Sequence, residues 1–156
     1  IGTPVGRVGI AASDDAVTRI FFAHACGPAE EQAPEGTPEA FTPLLRQAAA
    51  ELTEYFAGRR RAFTLPLAPE GPPFQQAVWA ALRRIPYGET RSYKDIARAI
   101  GHPKAFRAVG MANNRNPIAI VVPCHRVVGS GGTLVGYAGG LEAKAYLLGL
   151  ERENKG

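Results

Sequence analysis

Apolar residues in the first part of the chain fall in short runs bounded by turn formers, whereas beyond residue 74 they recur with helical spacing. Residues 5–12 and 17–23 are rich in β-branched and aromatic side chains and are separated by Ser13-Asp14-Asp15, the pattern of a hairpin. Residues 27–38 are dense in Pro, Glu and Gly and read as an exposed loop. Thr42-Pro43 then marks a helix start, with a hydroxyl to cap the free N–H groups and proline at the first helical position, where its missing N–H costs nothing. Leu45, Ala48, Leu52, Tyr55 and Phe56 share one helical face, and Gly58 can end the helix in a left-handed conformation. Residues 62–67 supply a candidate third strand.

The Pro- and Gly-rich crossing at 66–73 divides the chain into an N-terminal part, 1–71, and a C-terminal part, 72–156. Phe74, Ala77, Val78, Ala81, Leu82 and Ile85 form a helical stripe that stops at Pro86-Tyr87-Gly88. Ser92 and Asp95 have capping-box spacing, which predicts a helix running to Ile100 with Gly101 beyond its end. Pro103 opens the next helix, to about Asn113, and the pair reads as a helix-turn-helix. Residues 118–122 are consecutively apolar and predict a short buried strand delivering the chain to Pro123-Cys124-His125-Arg126. A glycine-rich loop over 129–140 and an amphipathic helix over 141–150 complete an α+β chain: a small antiparallel sheet with a helix, then a mainly helical part.

Charge is distributed unevenly. Residues 1–71 carry 6 Lys/Arg and 9 Asp/Glu, whereas residues 72–156 carry 12 and 5, so a net −3 adjoins a net +7. A polyanion partner for the C-terminal part fits this imbalance; varied surface charge is the competing account. The start of the chain lacks a basic stretch followed by an apolar one, and no apolar run approaches the ~20 residues that span a bilayer. With two cysteines, Cys26 and Cys124, the expectation is a cytoplasmic protein with free thiols and no membrane contact.

A lone cysteine is most often a small buried hydrophobe. Cys124 departs from that pattern because it follows a proline and precedes His125, Arg126 and a glycine-rich loop. Neighbouring cationic groups favour the thiolate, the reactive form. Adjacent side chains on an extended strand point to opposite faces, so a direct Cys124–His125 pair is awkward unless a water, or a turn at the strand end, links them.

Pro123-Cys124-His125-Arg126-Val127, preceded by Asn116-Pro117, resembles the O6-alkylguanine-DNA alkyltransferases, also called methylated-DNA–protein-cysteine methyltransferases. The resemblance extends over residues 72–151 through 74–79 (Phe-Gln-Gln-Ala-Val-Trp), 85–90 (Ile-Pro-Tyr-Gly-Glu-Thr), Ser92-Tyr93, 107–110 (Arg-Ala-Val-Gly) and 136–141 (Gly-Tyr-Ala-Gly-Gly-Leu), while the N-terminal sheet matches loosely. It implies an RNase H-like N-terminal fold, a winged-helix-like C-terminal one, and single-turnover repair in which the alkyl group of O6-alkylguanine passes irreversibly to Cys124.

The resemblance also implies roles. Cys124 is the nucleophile, His125 the base acting through a water, Glu151 the group that orients His125, Asn116 the brace of the turn, and Tyr93 the donor to the departing guanine. Val127 and Ala138 present backbone to the base edge, and Gly136, Tyr137 and Gly139 wall the alkyl pocket. Arg107 fills the gap left by the flipped nucleotide in the minor groove, with Ala108, Gly110, Ala112 and Arg115 on the same DNA-facing helix. The partner is double-stranded DNA bearing alkylated guanine, the protein a monomer, and no cofactor or metal is expected. His24 and Cys26 are too few to hold a structural zinc. Asn113, Asn114 and Ala119 depart from residues common in the family and bear on which alkyl groups fit. A non-catalytic reader of alkylated bases and a Cys–His hydrolase are the alternatives; the acceptor cysteine argues against the first and the basic helix-turn-helix against the second.

Overall fold

The computed structural model describes residues 1–23, 42–132, 137 and 140–154. Strands β1 (Gly2–Thr3), β2 (Gly6–Ala12) and β3 (Val17–Phe22) form an antiparallel sheet in that order. The expected hairpin is present, with Val8 paired to Phe22 and Ile10 to Ile20. Its turn is built by Ser13, whose hydroxyl accepts from the backbone N–H groups of Asp15 and Ala16. One face of β3 buries Val17, Ile20 and Phe22.

The expected strand over 62–67 does not form. Only Leu67 bridges Val17, in the parallel sense, held by Val17 N–H to Pro66 O at 2.8 Å and Ala68 N–H to Val17 O at 2.9 Å. Pro66 has no N–H to extend a ladder, so the contact ends after one bridge. The third strand is β1 instead.

Helix α1 (Pro43–Phe56) starts where the Thr42 hydroxyl accepts from Leu45 N–H at 3.2 Å, and Gly58 follows its end at φ 76°. Ala48, Leu52 and Tyr55 lie on its buried face, which packs on the sheet. The C-terminal helices are α2 (Pro73–Leu82), α3 (Tyr93–Ala99), α4 (Phe106–Asn114) and α5 (Leu141–Glu153). The capping box at α3 is complete: Ser92 Oγ accepts from Asp95 N–H at 3.1 Å, and Ser92 N–H donates to Asp95 Oδ2 at 2.9 Å. Helix α4 begins three residues after Pro103, because Ala105 N–H bonds His102 O and spends those residues on a turn. The Trp79 indole N–H donates to Ala112 O at 2.9 Å and locks α2 against α4.

Residues 118–122 are a turn, not the expected strand. Asn116 explains the difference. Its amide accepts from Ile118 N–H at 3.0 Å and donates to Ile118 O at 3.3 Å and Val122 O at 2.8 Å, taking groups a strand would offer to a neighbour. Val122 N–H returns to Ile118 O at 3.0 Å. The apolar run reflects burial of this turn, which carries Ile120 at φ 72°, a strained value for a β-branched residue. Two contacts tie it to the sheet: Ile20 N–H to Pro117 O at 2.9 Å and Ala119 N–H to Ile20 O at 3.1 Å. A second, unanticipated sheet pairs β4 (Arg91–Ser92) in parallel with β5 (Val127–Val128), joining the start of α3 to the segment after Cys124. Among the described residues, no helix is long and apolar enough to cross a membrane.

Ser92 thus both caps α3 and belongs to β4. Ser92→Ala is expected to cost about 1 kcal/mol, read as a lower urea midpoint at unchanged slope; an unchanged midpoint would remove the cap from the account of this helix.

Candidate active site

Cys124 opens a single 3₁₀ turn, Cys124–Arg126, immediately after the Asn116-braced segment. Its N–H bonds Val122 O at 2.8 Å, and Val127 N–H closes the turn on Cys124 O. Asn113, 2% exposed, donates from Nδ2 to Cys124 O at 3.4 Å. The sulfur-bearing residue is therefore fixed through its backbone and is 5% exposed. Because the chain coils here, the opposite-face objection to a Cys124–His125 link lapses.

His125 and Glu151 are both wholly buried. His125 Nε2 lies 2.6 Å from Glu151 Oε2. A carboxylate can only accept, so Nε2 carries the proton and the neutral ring leaves its lone pair on Nδ1. No described residue partners that nitrogen. Glu151 accepts four further hydrogen bonds: Arg126 Nε to Oε1 at 2.7 Å, Arg126 Nη2 to Oε2 at 3.1 Å, Gly88 N–H to Oε1 at 3.2 Å and the Tyr55 hydroxyl to Oε2 at 2.5 Å. Burial alone pushes the carboxyl up, but the hydrogen bonds from His125 and Arg126 and the charge of Arg126 outweigh it and hold the group well below the usual range. Burial pushes the imidazole down, against the pull of Glu151, so His125 rests neutral.

The thiol does not behave as its sequence neighbours suggested. Burial pushes Cys124 up, with Asn116, Lys144 and Tyr137 pulling against it, so the resting group is a protonated thiol and not a thiolate. The expected Arg126 assistance is absent because the guanidinium is turned to Glu151 and to Ile85 O at 2.7 Å. The half-buried Tyr93 has its phenol pushed up by burial and then by nearby Cys124. Tyr137 is raised further, again by burial first and Cys124 next, and its ring meets Phe22 of β3 edge-on at 5.6 Å. Lys144 of α5 is wholly buried, with burial pushing its ammonium down and Cys124 opposing.

Cys124, His125, Glu151, Asn116, Tyr93, Val127 and Tyr137 are thus brought together. Gly136, Ala138 and Gly139, expected in the pocket wall, lie outside the described residues, as do His24 and Cys26. Arg107 and Ala108 on α4 and Arg115 at its C-terminal cap are exposed, whereas Gly110 faces Tyr93, where an added Cβ would sit 3.8 Å from the ring. Ala112 is 1% exposed and turned to α2, so it serves helix packing and not the outer surface. Met111, 58% exposed on that outer surface, and the buried Lys144 went unnoticed in the sequence, where Tyr55 read only as core and Arg126 only as a cation beside the thiol. Helical spacing from Arg107 would have found Met111. Nothing local marks the burial of Lys144 or the bonds of Tyr55 and Arg126 to Glu151.

Residues 73–153 match the family model for the 6-O-methylguanine DNA methyltransferase DNA-binding domain, and residues 1–69 that for the ribonuclease-like domain of the same proteins. The constitutive methylated-DNA–protein-cysteine methyltransferase of Bacillus subtilis is 52% identical over 96% of this chain and 92% of its own. The crystal structure of the Mycobacterium tuberculosis O6-methylguanine methyltransferase superposes with a TM-score of 0.86 at 45% identity, covering 99% of this chain and 91% of that one. The structure of the M. tuberculosis protein in complex with DNA gives 0.84 at 43% identity with the same coverage.

The buried pair sets the acid limit of stability. A lowered imidazole means that the unfolded chain binds more protons as pH falls through about 6.5, so stability declines from there. The depressed carboxyl adds stability that is full above the usual carboxylate range and is lost as pH falls through and below it. Glu151→Gln should abolish the second component and cost roughly 3–5 kcal/mol at neutral pH, because Arg126 is left buried without its counter-charge. Chemical denaturation across pH reads both, and a variant matching the parent below pH 5 and above it alike would contradict the assignment.

Proposed function

Because the chain belongs to the 6-O-methylguanine DNA methyltransferase family, we propose that it repairs alkylated DNA by moving the alkyl group of O6-alkylguanine onto its own Cys124, once per molecule. The observation that carries this reading is the neutral His125, wedged against Glu151 and offering Nδ1 as a base in the turn that also carries the thiol.

In the proposed reaction the guanine nucleotide leaves the duplex and enters beside Cys124, at a cost of a few kcal/mol for unstacking. His125 takes the thiol proton through a water, and the sulfur attacks the alkyl carbon. The carbon–O6 bond breaks, and its electron pair stays with guanine. Tyr93 donates to the base as negative charge develops, and the proton lost from the thiol finally replaces the alkyl group on guanine. The product is a thioether, which thiol exchange does not reverse, so each molecule acts once. A resting thiol suits a protein that waits, since oxidation follows the thiolate.

The outer face of α4 is the DNA surface in this reading, with Arg107 filling the gap left by the flipped nucleotide, flanked by Ala108, Met111 and Arg115, in the minor groove. Gly136, Tyr137, Ala138 and Gly139 wall the pocket. Asn116 holds the turn in place. The functional division falls at residues 71 and 72, the protein acts as a monomer without metal or cofactor, and the reducing cytoplasm keeps its thiol free.

Incubation with a stoichiometric methylated oligonucleotide should add one methyl group per chain, on the peptide containing Cys124, by mass spectrometry. Cys124→Ser should accept none. His125→Ala should slow the single-turnover rate roughly 10²–10⁴-fold with DNA affinity retained, and Arg107→Ala should slow transfer from duplex more than from single strands. Unmodified folded protein after reaction would defeat the proposal.

A further inference from the structure

One side chain of the N-terminal part of the chain bonds directly to the carboxylate behind the proposed chemistry. Tyr55, near the end of α1, is wholly buried, and its hydroxyl donates at 2.5 Å to Glu151 Oε2, the oxygen that also holds His125 Nε2 at 2.6 Å. We propose that Tyr55 is a positioning residue for alkyl transfer: it fixes Glu151 Oε2 and sets how strongly that oxygen grips the imidazole. This rests on the reading of His125 as the base.

The geometry leaves little slack. The Tyr55 ring is held by Phe56 at 5.4 Å, Phe63 at 5.6 Å and Tyr87 at 6.3 Å between centroids. Its phenol is pushed far up by burial and then by Glu151, so it stays a donor at every pH the protein survives. Tyr55, His125 and Arg126 Nη2 all donate to Oε2, and each donor takes a share of its negative charge. With Tyr55 present, Oε2 attracts the imidazolium less and His125 keeps its proton less readily. Besides Tyr55, the groups facing the Glu151–His125 pair are Arg126 on the same turn, Tyr87 after α2, Lys144 on α5, and Cys124 and Tyr137 beside the thiol. None of these others is both neutral and bonded to Oε2.

The test is the single-turnover rate of methyl transfer from a methylated oligonucleotide as a function of pH. In the parent the rate rises as His125 loses its proton. Tyr55→Phe keeps the ring and removes the donor, so the acid-side inflection should move up by about half to one unit, with an acid-side rate loss of about 3–10-fold. Difluorotyrosine at position 55, a stronger donor of nearly the same shape, should move the inflection down, and it tests the idea even if the phenylalanine variant folds poorly. Leu52→Ala removes a buried side chain one turn earlier on α1 and should lower stability without moving the inflection. An unshifted profile in the phenylalanine and fluorinated variants, or an equal shift in Leu52→Ala, overturns the proposal. A parent protein that transfers no methyl overturns the functional reading and this inference with it.

Discussion

A carboxylate without water must be surrounded by donors or it will not stay ionised, because the desolvation cost amounts to several kcal/mol even after relaxation. Glu151 meets that demand with five hydrogen bonds from four residues: Tyr55 of α1, Gly88 after α2, and His125 and Arg126 of the turn at Cys124, all converging on the last helix. Most of the architecture around the thiol follows from satisfying this one group. The inner face of α5 carries the carboxylate, the end of α1 places Tyr55, and the 3₁₀ turn places His125 and Arg126.

The same constraint separates two tasks that sequence adjacency had merged. Arg126 neutralises the carboxylate and therefore cannot assist the sulfur, while His125 is left uncharged with a free lone pair. The thiol stays protonated in its dry setting, and any activation must come by proton transfer at the moment of reaction. Rigidity comes from elsewhere: Asn116 folds the backbone before Cys124, and Ile20 of β3 grips the start of that fold at Pro117 and Ala119.

Much of this was legible in the sequence. The helix starts at Thr42 and at Ser92 with Asp95 were readable because capping is local chemistry, and the hairpin because Ser13 builds its own turn. The meeting of Cys124, His125 and Glu151 was anticipated through family resemblance, not spacing. The apolar run at 118–122 misled because hydrophobicity records burial and not extension; the decisive signal was the side chain of Asn116, two residues upstream. Ala112 misled because small residues suit a helix–helix contact as well as a groove. Tyr55 lies 96 residues from its partner, and no periodicity can announce such a pairing.

Trp79 is the single tryptophan of the chain, and its indole is bonded to the backbone of α4 in a dry setting. Indole emission shifts with the polarity and hydrogen bonding of its surroundings. The chain consequently carries an intrinsic optical gauge, placed on the inner side of the very helix whose outer side is proposed to meet nucleic acid, and its colour can follow small displacements of that helix without any added label.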